Sequence, residues 1–203
     1  MKIHKIFPTA VATVENPEIP KDEHDALLNA KYHVLPNYGS FHITENKYVL
    51  NTVPKLQQWI TEQINNYTKE VLATSQKLRI TQSWCIKHKN EPQRIFPHAH
   101  ANSIISGSYY IDAPPNTQGL KMYRPESATR PYLDWTEDLD DKEWNWPFAE
   151  FPAVTGKLIL FPSQLLHAVA GVYSKREQRC VLAFNTWFNG SFGTEDQLTR
   201  VEI

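Results

Sequence analysis

Glycine is scarce in this chain, at seven residues of 203. So few glycines leave no glycine-rich cradle in which a backbone could wrap a phosphate. Cysteine is scarcer still, with Cys85 and Cys180 alone. Two thiols in a chain this long do not make a disulfide framework, and both sit in apolar, strand-like runs that read as buried free thiols. Neither sign of charge dominates: the formal net charge is -1 and the pI is about 6.7. Holding nucleic acid by bulk charge needs a basic face, so this balance argues against nucleic acid as a partner. No run approaches the roughly 20 apolar residues of a membrane span. The segment Met1–Pro20 also lacks the apolar core of a signal peptide. The expectation is a soluble, cytoplasmic protein with no membrane partner.

What the chain does have is proline and short β-forming runs. Fourteen prolines divide it into brief segments, which suits a β-rich body with many turns. The length suits one domain over 1–203, with a helical extension. Residues 1–77 read as an N-terminal strand and helical support, with a strand somewhere in Lys2–Val14 and a short helix over Asp22–Ala30. The strongest helix is Pro54–Leu72, where Leu56, Trp59, Ile60, Ile64, Tyr67 and Val71 recur near a 3.6 period. Thr52 is the candidate N-cap, and Pro54 is tolerated in a first turn. That apolar stripe reads as core packing against a sheet.

From residue 78 to 190 the period changes. LRITQSWCIKH, IFPHAH, SIISGSYYIDAP, GLKMYRP, GKLILFPS, HAVAGVY and RCVLAFNTWF follow one another, separated by turn residues. Such spacing predicts an antiparallel sandwich or barrel rather than alternating strands and helices. Ser127–Pro152 interrupts it as an acidic loop with Trp135, Trp144 and Trp146. Its aromatics favour order over disorder, as a flap over a site or as packing on the barrel wall.

Chemistry concentrates in a few residues. His98 and His100 form His-Ala-His beside a strand run, and positions i and i+2 of an extended chain share a face. His167 follows the run Lys157–Pro162. Two histidines from one strand end and one from a distant strand can hold a transition metal with positions left open. Without a ligand they would be ordinary surface or core histidines. His4, His24, His33, His42 and His88 have no such pairing and read as surface or packing residues. Arg179 opens the last strong strand, where Arg179, Val181, Ala183, Asn185 and Trp187 fall on one face. If that face is the inner one, a buried arginine needs an anionic partner, which a small acid would supply. Otherwise it is an exposed arginine beside Lys175 and Arg176.

These residues, in this order, resemble the iron(II)/2-oxoglutarate-dependent dioxygenase superfamily, and more narrowly its oxygenases from bacteria and phages. The likeness runs through Phe7-Pro8-Thr9, Trp84, the run Pro97-His98-Ala99-His100 through Tyr110, Gly156–Pro162, His167, and Arg179 through Asn185. The resemblance implies a mainly β, double-stranded β-helix (jelly-roll) with the N-terminal helices packed on one sheet. It implies iron(II) held by His98, His100 and His167, and 2-oxoglutarate held by Arg179 with Tyr110 and Asn185 nearby. It implies a hydroxylase that consumes molecular oxygen, oxidises an unidentified substrate, and releases succinate and carbon dioxide. His100 stands where the superfamily usually has a carboxylate. Two other ligand sets therefore stay open: His98 and His167 with water, or a shifted register using His100 and Asn102. The alternative functions are a three-histidine metalloenzyme without 2-oxoglutarate, such as a cupin-type dioxygenase or zinc hydrolase, and a non-catalytic viral or bacterial accessory protein.

Overall fold

The computed structural model describes residues 1–203 except 3, 5, 7, 16–17, 36–40, 89–94, 116, 118, 126–145 and 170–178. Among the described residues, thirteen strands and two α-helices run in the order β1 (Ala12–Glu15), α1 (Lys21–Leu28), β2 (Tyr32–Val34), β3 (His42–Thr44), α2 (Pro54–Glu70), β4 (Leu78–His88), β5 (Ile95–His98), β6 (Ile105–Asp112), β7 (Leu120–Tyr123), β8 (Phe148–Phe151), β9 (Lys157–Pro162), β10 (His167–Val169), β11 (Arg179–Phe188), β12 (Ser191–Phe192) and β13 (Val201–Glu202). The major sheet is ordered β1-β9-β6-β11-β4-β3-β2 and the minor sheet β5-β10-β7-β8. All their strand pairs are antiparallel. The mainly β architecture with helices packed on one sheet is thus the one expected.

The alternation of side chains explains why the central runs are apolar throughout. On β9, Leu158 and Leu160 join one core cluster, whereas Ile159 and Phe161 join another. On β11, Cys180, Leu182 and Phe184 lie in the first cluster and Val181 lies in the second. The first cluster is closed by Leu27 of α1 and by Leu56, Ile60, Ile64 and Tyr67 of α2, so the helices cover that face of the major sheet. The second cluster adds Leu120, Met122 and Leu165 and fills the space between the two sheets. Gly107 marks a close approach between β6 and the Phe184 side chain of β11. A Cβ there would lie 2.1 Å from Cζ of Phe184, the ring directly across the ladder.

Two N-terminal details differ from the sequence reading. The strand placed in Lys2–Val14 occupies Ala12–Glu15, where the backbone pairs with β9. The cap of α2 is not Thr52, whose hydroxyl donates instead to the Val49 carbonyl within a short 3-10 turn. Glu23 of α1 takes the role from a distance. Its buried carboxylate accepts hydrogen bonds from the backbone N–H groups of Lys55 and Leu56, both at 2.9 Å. A negative charge at a helix N-terminus satisfies orphan donors and complements the helix dipole, so one side chain ties the two helices together. Trp135 and Trp144, the acidic residues between them, and Lys175 and Arg176 lie outside the described residues. Among the described residues, no helix is long and apolar enough to cross a membrane.

Candidate metal centre

Sheet pairing brings the three histidines together. His98 ends β5 and His167 opens β10, and the two are direct partners across the minor sheet. Residues opposite one another on a ladder share a face, so both rings point between the sheets. His100 lies just past the strand end, where its N–H donates to the Ser163 carbonyl at 2.9 Å. The chain then turns through Asn102, in the left-handed region at φ 53° and exposed. Ring centroids are 4.4 Å apart for His98–His167, 5.1 Å for His98–His100 and 5.0 Å for His100–His167. One nitrogen from each ring lies within 4.8 Å of the other two.

Two of the rings are held in a defined tautomer. Nδ1 of His98 is 2.9 Å from the Phe96 carbonyl, and Nδ1 of His167 is 2.8 Å from the Leu165 carbonyl. A carbonyl only accepts, so each Nδ1 carries the proton and each Nε2 keeps its lone pair, as a metal ligand requires. Burial pushes His167 down to about 4, against the opposing pull of the Leu165 bond, with His98 and His100 adding to the lowering. Burial and then His98 push His100 down to about 4 as well. Both imidazoles are neutral at pH 7. The Nε2 atoms of His100 and His167 are 3.1 Å apart. Two adjacent nitrogens at about 2.1 Å from one octahedral ion would sit about 3.0 Å apart, so this pair has the spacing of neighbouring ligands on a first-row divalent metal, with a nitrogen of His98 within 4.8 Å of both.

The other end of the site lies on the major sheet. A cavity of about 70 Å³ is lined by the three histidines together with Trp84, Tyr110 and Arg179. Arg179 is fully buried and lines this cavity together with Val181, which places the face of β11 that carries it between the sheets. Its Nη2 donates to Nε2 of His88 at 3.0 Å, from the residue directly opposite on β4. Burial lowers the guanidinium to about 10, with Tyr110 opposing, and it remains a cation at neutral pH. Tyr110 is buried, which holds its phenol up at about 12 and protonated. A buried cation and a phenol donor at one end, and a metal-binding set at the other, suit a small dianion lying between them.

Asn185 is six positions along β11 from Arg179 and stands against His100, with its amide nitrogen 3.3 Å from Nδ1. His88, read from the sequence as a surface or packing residue, is buried in this cavity beside Arg179. Trp84, Ile86 and His88 alternate along β4, and that period was the available signal for it. A larger cleft of about 460 Å³ lies along Met122–Pro125 and Trp146 and contains none of the three histidines.

Residues 82–185 match the family model described as "Putative 2OG-Fe(II) oxygenase". No curated protein matches the chain in a sequence search. Among solved structures, the non-heme alpha ketoglutarate dependent epimerase SnoN from nogalamycin biosynthesis superposes with a TM-score of 0.62 at 12% identity, over 91% of this chain and 80% of that one. HygX from Streptomyces hygroscopicus, solved with nickel and 2-oxoglutarate bound, gives 0.59 at 10% identity, over 88% and 82%. A Pseudomonas putida prolyl-4-hydroxylase gives 0.55 at 12% identity, over 89% and 92%. At these identities the likeness is one of fold, the double-stranded β-helix.

Proposed function

We propose that this chain, which belongs to the 2OG-Fe(II) oxygenase family, binds iron(II) through His98, His100 and His167 and hydroxylates an unidentified substrate at the expense of 2-oxoglutarate and oxygen. The observation that carries this reading is the cavity itself. Three converging imidazoles stand at one end, and a fully buried arginine stands at the other.

Each residue has a separate task. His98 and His167 present Nε2 because backbone carbonyls fix their Nδ1 protons. Three neutral ligands leave the full charge of the ion in place, which favours a dianionic cosubstrate over a neutral one. Arg179 and Tyr110 receive its distal carboxylate by charge-assisted hydrogen bonding, in a site where desolvation strengthens the contact. His88 stays neutral and accepts from Arg179, which limits the rotamers of the guanidinium. Phe161, edge-on to His167 with centroids 4.7 Å apart, and Val181 wall the site with apolar surface. When bound, iron(II) with 2-oxoglutarate and oxygen supplies the oxidising power, coupling decarboxylation of the cosubstrate to oxidation of a substrate C–H bond. The structural neighbours include an epimerase and a prolyl hydroxylase; for this chain the proposed outcome is hydroxylation.

The direct test is turnover of the cosubstrate. Protein with iron(II), 2-oxoglutarate and oxygen should form succinate, and the His167→Ala variant should not. Absence of succinate from the folded, iron-loaded wild type would remove the reading.

A further inference from the structure

His98 and His167 each donate Nδ1–H to a carbonyl two residues earlier, whereas the side chain against Nδ1 of His100 is Asn185, at 3.3 Å. The carboxamide of Asn185 is the outer end of a polar chain that runs into the protein. Its other polar atom is 2.8 Å from the Ser106 hydroxyl, and Ser106 is 2.8 Å from the Ser163 hydroxyl. Ser163 donates to Ser103 at 2.7 Å, and Ser103 donates to the Ile105 carbonyl at 3.3 Å while accepting from the Thr186 N–H at 3.3 Å. All three serines are buried.

A hydroxyl has one proton to give. The proton of Ser103 goes to Ile105 and that of Ser163 goes to Ser103. Ser163 can therefore only accept from Ser106, whose single proton is then spent. With Oδ1 of Asn185 toward Ser106, Ser106 would have to donate twice. That orientation would also direct an N–H at Nδ1 of His100 and force the ring proton onto Nε2, 3.1 Å from His167. A half-turn of the carboxamide exchanges its oxygen and nitrogen while every heavy-atom position is kept. Nδ2 then donates to Ser106, and Oδ1 accepts the Nδ1 proton of His100. The lone pair of His100 Nε2 is left facing the same point as those of His98 and His167.

We propose that Asn185 is a positioning residue that fixes the tautomer of His100 and so makes it the third metal ligand, with the Ser103–Ser163–Ser106 chain setting the amide. This rests on the reading that the three histidines hold a metal. A carboxylate ligand has no tautomer to fix, but an imidazole in its place does. Asn185 supplies to His100 what Phe96 and Leu165 supply to the other two.

Zinc(II) serves as a diamagnetic probe that needs neither cosubstrate nor turnover. In zinc-loaded protein with ¹⁵N-labelled histidine, the imidazole spectrum should show His100 bound through Nε2, with a protected Nδ1 proton. Asn185→Asp keeps the acceptor and should keep that proton and the zinc affinity. Asn185→Leu should lose the protected proton and bind zinc about 10–100-fold more weakly, the usual scale for a lost partner of a metal-bound histidine. The proposal is overturned if zinc-loaded wild type carries the His100 proton on Nε2. It is also overturned if Asn185→Leu binds zinc like the wild type while His100→Ala does not. Unchanged zinc affinity in His100→Ala is a different failure, because it removes the three-histidine reading itself. Should Asn185→Leu not fold, the wild-type spectrum and the Asn185→Asp variant still decide.

Discussion

Acidification should destabilise the protein through His88. The ring is 3% exposed, and burial and then the adjacent Arg179 hold its pKa well below the ordinary 6.5. In the unfolded chain the same ring takes up a proton near pH 6.5. Between the folded and unfolded values the unfolded state binds more protons, so stability falls as pH drops below 6.5 and is fully present above it. At pH 5.5 the folded ring stays neutral, and the cost is set by protonation of the unfolded ring alone. That amounts to about 1.3 kcal/mol relative to pH 7.5. With a urea slope of about 2 kcal/mol per molar, the unfolding midpoint should fall by about 0.7 M on account of this residue. The chain carries eight histidines, so the informative quantity is a difference. His88→Gln retains an acceptor for Arg179 and has no titration. Urea unfolding of the metal-free wild type and of His88→Gln, each at pH 7.5 and 5.5, isolates the contribution. The wild type should lose about 1.3 kcal/mol more than the variant. Parallel losses would show that His88 is protonated in the folded state and that the arginine pairing is misread.

Two further perturbations address the cosubstrate end and the core. Arg179→Met should raise the Kd for 2-oxoglutarate about 10²–10³-fold in nickel-loaded protein without oxygen, because it strips the buried partner from a charged hydrogen bond. Calorimetric titration reads this directly, and an unchanged Kd would take Arg179 out of the site. Gly107→Ala should cost about 1–3 kcal/mol of stability, since the added methyl overlaps the Phe184 ring and over-packs the cluster beneath it. Thermal unfolding of the variant at wild-type stability would contradict the close approach of β6 and β11.

Much of the fold was legible because its strands are strongly patterned. The run LRITQSWCIKH is β4 from end to end, and RCVLAFNTWF is β11. Their length and aromatic content left little competition from helix. Buried Arg179 and buried Cys180 at the head of β11 show why period alone could not tell which face was inner. Both faces of that strand are covered, one by the helices and one by the minor sheet. The cap of α2 was misplaced because its partner, Glu23, is remote in sequence, and no local spacing reports a carboxylate arriving from another helix. The site divides in the same way. His98 and His100 are two positions apart in an extended run, and His167 follows a strong strand, so convergence could be anticipated. His88 and the serines behind Asn185 have no motif, and they matter only through the register of β4 against β11 and the turn at Ser163.

The central claim is that His98, His100 and His167 hold iron(II) where 2-oxoglutarate can chelate it. The most direct measurement is the visible spectrum of the protein with iron(II) on addition of 2-oxoglutarate in the absence of oxygen. A metal-to-ligand charge-transfer band should grow with saturable dependence on the cosubstrate, and alanine at any of the three histidines should weaken or abolish it. Iron-loaded wild type without such a band, or a band undiminished in all three variants, would contradict the account.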